Sequence, residues 1–260
     1  MSNAVLSRRA NSGAHNILNV CSYNCRGFNF TKKVYIDSLL TSNDVMFLQE
    51  HWLTDAQLSE LGWINKDFLY YGISGIDNDE ILLGRPHGGC AIFWRSNMSV
   101  VAESFPTGSR RVCAVRLHFA DLKLLLINVY MPYESDDESG DKFLAELSVI
   151  EYVINQNSDY HVILGGDFNV DFSRSWLHTE LLVRFCEAFN LDIAFNFTDS
   201  LVDYTYNFNM DRFNVLDHFM LSGLLYNSAL RSYKVLHDGD NLSDHEPVLM
   251  QLDLDYDRLY

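Results

Sequence analysis

The chain has 260 residues, 48% of them hydrophobic, and a formal net charge of −16. That length and apolar share exclude a disordered chain and suit one ordinary globular domain. The acidic surplus excludes a protein that holds nucleic acid by basic charge alone, because phosphate neutralisation supplies much of that affinity.

In chain order, Met1 to Asn16 carries Arg8 and Arg9 but no apolar h-region, so it reads as a flexible N-terminal tail ahead of one domain over residues 17–260. No later run reaches membrane-spanning length, and no membrane partner is expected. Ile17 to Tyr23 alternates as a strand and runs into the polar turn Asn24-Cys25-Arg26-Gly27. Lys33 to Leu40 reads as a short helix, Asp44 to Gln49 as a buried strand carrying Glu50 at its end, and Asp55 to Leu61 as a helical turn or two. Tyr70 to Pro86 reads as a long irregular segment, of the kind that is disproportionately functional.

Strand signals then crowd together at Gly89 to Trp94, Met98 to Phe105, Val112 to Phe119 and Leu122 to Tyr130, the last two joined as a hairpin through Ala120-Asp121. Asp141 to Asn155 places Phe143, Leu144, Leu147, Ile150 and Ile154 at helical spacing, and Trp176 to Phe189 repeats that pattern. Between them Val162 to Leu164 is a short apolar strand stopping at Gly165-Gly166. Strands return at Tyr204 to Phe208, Phe213 to Leu221, Tyr233 to His237 and Pro247 to Leu254. Antiparallel hairpins mixed with few helices predict a layered α/β sandwich rather than a doubly wound sheet. Cys21, Cys25, Cys90, Cys113 and Cys186 show no CxxC pair or zinc spacing, which favours reduced thiols in an intracellular protein.

Asn24, Glu50, Asp167, Asn169, Asp244 and His245 each sit at the expected end of an apolar strand. Phosphodiester hydrolysis needs residues of these types: carboxylates to hold a hard cation or take a proton from water, amides to hold an anionic oxygen without adding negative charge, and a histidine to donate to phosphate. An isolated Gly-Gly-Asp turn would read as a cap, and scattered basic residues such as Arg26, Lys32, Arg111 and Arg174 as solvated side chains.

The blocks Ser22-Tyr23-Asn24-Cys25-Arg26-Gly27, Phe47-Leu48-Gln49-Glu50, Gly88-Gly89-Cys90-Ala91-Ile92, Asn128-Val129-Tyr130-Met131-Pro132, Gly166-Asp167-Phe168-Asn169, Leu216-Asp217-His218-Phe219 and Ser243-Asp244-His245 stand in one order along the chain. In that order the chain resembles the endonuclease/exonuclease/phosphatase superfamily, and within it the apurinic-endonuclease-like domain of non-LTR (LINE-type) retrotransposons. The resemblance implies a DNase I-like, four-layered α/β sandwich of two mixed sheets flanked by helices. It implies Glu50 as the principal metal ligand, with Asn24 and Asp244 near the same Mg2+ (Mn2+ able to substitute). Asp167 would activate water, Asn169 and Tyr130 would face phosphate, and Asp217 would steady His245.

Thr205, Asn207, Asn209 and Arg212, on the aromatic segment Tyr204 to Phe213, would contact DNA, and Arg26 could touch phosphate. Arg26, Tyr133 and Val215 depart from residues common in relatives. The expected activity is nicking of one strand of duplex DNA to leave a 3′-hydroxyl, by a nuclear-acting monomer that belongs to a longer polyprotein with a reverse transcriptase. Alternatives within the superfamily are an abasic-site repair nuclease or a phosphatase, and outside enzymes a catalytically inactive nucleic-acid-binding module.

Overall fold

The computed structural model describes residues 17–76, 86–134, 139–209 and 212–255. One sheet has seven strands: β1 (Ile17–Asn24), β2 (Val45–Gln49), β3 (Phe68–Ile73), β4 (Cys90–Arg95), β10 (Ser200–Leu201), β14 (Leu230–Val235) and β15 (Val248–Asp253). They lie in the order β10-β14-β15-β1-β2-β4-β3. The second sheet has six: β5 (Val101–Phe105), β6 (Val112–His118), β7 (Lys123–Tyr130), β8 (His161–Asp167), β9 (Leu191–Ile193) and β13 (Asp217–Ser222). Their order is β5-β6-β7-β8-β13-β9, and β11 (Tyr206–Phe208) pairs with β12 (Arg212–Asn214) as a separate hairpin. Both large sheets mix parallel and antiparallel pairs.

Three apolar clusters show the layering. Val20, Phe47, Ile92, Val115, Leu126, Phe219 and Met250 fill the space between the sheets. Helix α1 (Phe30–Ser42) buries Ile36, Leu39 and Leu40 against the outer face of the first sheet. Helices α2 (Ser139–Asn155) and α3 (Leu177–Ala188) bury Phe143, Leu147, Ile150, Leu182 and Phe185 against the second. The result is a four-layered, DNase I-like α/β sandwich, as the sequence led us to expect. Strands buried on both faces, such as β2, have every residue buried, which is why they read as continuous apolar runs rather than alternations.

Polar groups also cross the interface between the sheets. Gln49 Nε2 donates to Asn128 Oδ1 at 2.6 Å and to Ser22 Oγ at 3.1 Å, while Asn128 Nδ2 donates to the carbonyls of Leu48 and Ala91. These bonds tie β7 to β2 and β4, and β2 to β1, near the strand ends. In so apolar a setting an unmatched amide is costly, so the bonds favour one register of sheet on sheet.

Strand β8 does not stop at the glycines. It runs through Gly165 and Gly166 to Asp167, pairing with β13 on one side and β7 on the other. Both positions require glycine: a Cβ on Gly165 would lie 2.4 Å from the Phe219 ring, and Gly166 has φ +135 with Val129 O only 2.1 Å from where a Cβ would sit.

Other expectations are corrected. Tyr70 to Ile73 is not irregular but forms the end of β3, paired to β4; residues 77–85 of that segment lie outside the described residues. Phe213 to Leu221 is broken at Val215-Leu216, because the amides of Leu216 and Asp217 turn to Thr205 Oγ1 instead of a neighbouring strand. The short strands β9 and β10 gave no signal, being two or three residues long.

Gly166→Ala is expected to destabilise the fold by about 3 kcal/mol, combining left-handed strain with backbone overlap. Urea unfolding of the purified variant checks this; an unchanged midpoint would contradict the account of β8.

Candidate active site

The C-terminal ends of β1, β2, β7 and β8 and the start of β13 converge at one edge of the sandwich. Across the second sheet Tyr130, Asp167 and Asp217 stand in register; in the first, Asn24 stands beside Gln49, with Glu50 next. Asn24 bridges the two groups, its Nδ2 donating to Glu50 Oε1 at 3.2 Å and to Asp167 Oδ2 at 2.9 Å. The Asn169 backbone N–H donates to Asp167 Oδ1 at 2.9 Å, and the Asn169 amide donates to Met131 O.

His245 enters from the loop ahead of β15. Its Nδ1 lies 2.8 Å from Asp217 Oδ2 and its Nε2 3.8 Å from Asp167 Oδ2. Asp167 and Asp217 are each 1% exposed and His245 6%. The structure therefore gathers residues spaced more than 200 positions apart in the chain.

Several side chains hold these groups in place. Glu50 Oε2 accepts from Trp52 Nε1 at 2.8 Å, and Tyr130 is hydrogen-bonded to the same carboxylate. Arg111 stacks over the Tyr130 ring at 5.1 Å and donates to its carbonyl. Arg26, Glu50, Trp52 and Asn169 all adopt φ between +47 and +61, a costly conformation for residues with a Cβ, and one that concentrates at functional sites.

Electrostatics follow from burial. Burial raises the Asp167 carboxyl to about 7, against the lowering effect of His245. Burial by itself would lower the His245 imidazole; the Asp217 and Asp167 carboxylates and the hydrogen bond to Asp217 outweigh it and raise the pKa to about 10. At neutral pH the ring is thus an imidazolium whose Nδ1–H is committed to Asp217. Burial, reinforced by Glu50 and Asp167, pushes the Tyr130 hydroxyl up, so it stays a neutral donor.

A divalent cation fits one side of this cluster better than the other. Asp167, Asp217 and His245 offer ligand atoms within 4.8 Å of one another, yet a charged imidazole cannot ligate and already supplies the positive charge there. Among the described residues both Asp217 Oδ1 and Asp244 Oδ1 are buried without a hydrogen-bond partner; on the Asp244 side no imidazolium stands in the way, and Glu50 offers hard oxygens suited to Mg2+. Asn24 fits less directly, because its Oδ1 accepts from the Arg26 N–H at 3.0 Å and its NH2 faces the carboxylates.

Among the residues expected to contact substrate, Asn207 and Asn209 lie on or beside the hairpin, where the Asn207 N–H donates to Asp244 O and ties the hairpin to the site. The Arg212 side chain and residues Met210 and Asp211 lie outside the described residues. Thr205 is a correction. It is fully buried, and its Oγ1 accepts from the N–H groups of Leu216 (2.9 Å) and Asp217 (3.0 Å), so it positions Asp217 rather than touching a ligand. Arg26 reaches Asp244 Oδ2 at 2.5 Å. Trp52 and Tyr206, whose ring centroid is 4.8 Å from that of His245, were missed. An aromatic in sequence carries no mark that separates a site wall from ordinary packing.

Buried acids, amides and one imidazolium at the strand ends of a DNase I-like sandwich define a hydrolase of phosphate esters by class. The chain matches the model of the Endonuclease/Exonuclease/phosphatase family over residues 21–245 and belongs to that family. Its members are nucleases and phosphatases, typically dependent on a divalent metal.

Solved structures with the same fold include the endonuclease domain of TRAS1, a telomere-specific non-LTR retrotransposon (13% identity, TM-score 0.68, covering 92% of this chain and 99% of that one). Another is the AP endonuclease LMAP from Leishmania major (13%, 0.74, 92% and 89%). A third is a variant of the 3′ phosphatase NExo from Neisseria bound to product DNA hairpin (17%, 0.68, 91% and 99%). No curated protein matches the chain.

Two outcomes test this geometry. A histidine whose folded pKa lies above its ordinary 6.5 contributes stability that is complete below about 6.5 and lost as pH rises through about 10. Urea midpoints in EDTA should therefore fall across that window, and Asp217→Asn should flatten the slope. Thr205→Val should leave the buried Asp217 N–H and the partly buried Leu216 N–H unmatched, cost about 1–3 kcal/mol, and lower the His245 pKa read by NMR; a histidine titration identical to the parent's would refute the positioning role.

Proposed function

We propose that the protein is a divalent-metal-dependent DNA endonuclease that nicks one strand of duplex DNA and leaves a 3′-hydroxyl. The observation that carries the reading is the continuous network from the partly buried Glu50 through the buried Asn24 and Asp167 toward His245 and Asp217. Asp167, ionised above about pH 7, takes the proton of the attacking water as its oxygen bonds to phosphorus and the P–O3′ bond breaks, the departing 3′ oxygen gaining a proton from solvent water to leave as the hydroxyl, while Asn24 and the Asn169 N–H hold the Asp167 carboxylate. His245 donates from Nε2 to a phosphate oxygen, its charge sustained by Asp217.

The second N–H of the Asn169 amide faces the same oxygens, and Tyr130, hydrogen-bonded to Glu50, steadies that carboxylate beside them. A divalent cation on Glu50 and Asp244 supplies, when bound, Lewis-acid stabilisation of charge developing on phosphate. Cationic groups placed this way let a chain of charge −16 accept a polyanion without a basic surface.

DNA as substrate, and target-site nicking in retrotransposition, are supported by the likeness to the TRAS1 domain and by the hairpin beside the site, which carries Asn207 and Asn209. On that reading the chain is the nuclease part of a polyprotein with a reverse transcriptase, and works as a monomer inside the cell, in the nucleus. The likeness to a phosphatase that carries a DNA hairpin supports a site open to DNA ends as well.

Supercoiled plasmid is the direct test. Nicked circles are expected with Mg2+ and none with EDTA, and Asp167→Asn or His245→Ala should lower the rate roughly 100-fold or more. Nicking by Asp167→Asn at the parental rate would remove Asp167 from the chemistry. Cleavage confined to abasic duplexes would transfer the reading to repair, and a metal-independent gel shift without cutting to an inactive binding module.

A further inference from the structure

Arg26 stands beside the Asp244 carboxylate, and the surrounding structure holds it there. Its N–H donates to Asn24 Oδ1, and its carbonyl accepts from Lys32 Nζ at 2.7 Å. The next amide, Gly27 N, donates to Glu50 O at 2.6 Å. The backbone sits in the left-handed region at φ 47. From this anchored root the guanidinium pairs with Asp244 Oδ2 at 2.5 Å, leaving Asp244 Oδ1 buried and unmatched among the described residues.

Resting on the endonuclease reading, we propose that Arg26 is a resident cation which takes the place of a second divalent ion, so that the chain works with one bound metal. Arg26 engages two of the three residues expected to ligate metal: Asn24 through its backbone N–H and Asp244 through its side chain. What remains for an ion is Glu50 and the second oxygen of Asp244.

A guanidinium suits the role because it stays charged at any relevant pH, needs no exchange of tightly bound water, and presents several N–H donors in a fixed plane. One donor holds Asp244, and others remain for a phosphate oxygen. In two-metal sites a second ion provides that charge; in phosphoryl transfer an arginine can provide it instead.

The test counts ions rather than relying on turnover. Mn2+ is titrated into the full chain and free Mn2+ read by EPR, with thermal melts confirming that each variant is folded. The parent should bind one Mn2+. Arg26→Gln should bind that ion roughly tenfold tighter or more, since Asp244 is released, yet nick plasmid more slowly at saturating Mn2+, while Arg26→Lys regains part of the rate. Arg26→Asp should bind a second ion. Two ions in the parent, or one ion with unchanged affinity in Arg26→Gln, would overturn the role of Arg26 and leave the endonuclease reading standing. Failure of the parent to bind Mn2+ at all would overturn both.

Discussion

The site exists because two sheets meet face to face with their strand ends level. The Gln49–Asn128 hydrogen bond, at 2.6 Å in the inter-sheet core, joins the strand that delivers Glu50 to the strand that delivers Tyr130. Beside it the bare Gly165 lets the Phe219 ring press onto β8, close to Phe47. A slip of one residue along β8 or β13 in the second sheet would turn Asp167 or Asp217 to the opposite face, because side chains alternate along a strand. Apolar packing alone tolerates such slips better than a buried amide pair does, so the polar bridge supplies specificity that oil-like contacts lack.

Burial then does the chemical work. Removing carboxylates from water is unfavourable, and each of those at the site is compensated by a different donor set: Glu50 by Asn24, Trp52 and Tyr130, Asp167 by Asn24 and Asn169, Asp217 by His245, Asp244 by Arg26. The same desolvation that costs stability raises Asp167 to about 7, within the range of a useful base, and makes the His245–Asp217 pair mutually dependent. Left-handed backbone at Arg26, Glu50, Trp52 and Asn169 adds strain at this edge, which the packed sheets beneath it sustain.

Much of this was legible along the chain. Apolar runs ending in Glu50 and Asp167 marked strand ends, and helical spacing located α2 and α3 to within a few residues. Thr205 shows why the rest was not. A threonine in a polar hairpin segment reads as a contact to ligand, yet its hydroxyl is spent on two amides eleven and twelve residues away. Asn24 likewise reads as an oxygen ligand, whereas its oxygen is taken by a backbone N–H two residues on. Which end of an amide faces the pocket depends on neighbours that no local pattern encodes.

Periodicity and composition were sufficient for the layered α/β class, for the main helices and strands, and for the kinds of side chain at the strand ends, because these depend on short-range spacing and on which residues tolerate burial. Folding in three dimensions decided the break before Asp217, the continuation of β8 through its glycines, and the pairing of Arg26 with Asp244. Those features are set by contacts between segments far apart in the chain. Their energies depend on distance and burial in space, quantities that order along the polymer does not contain.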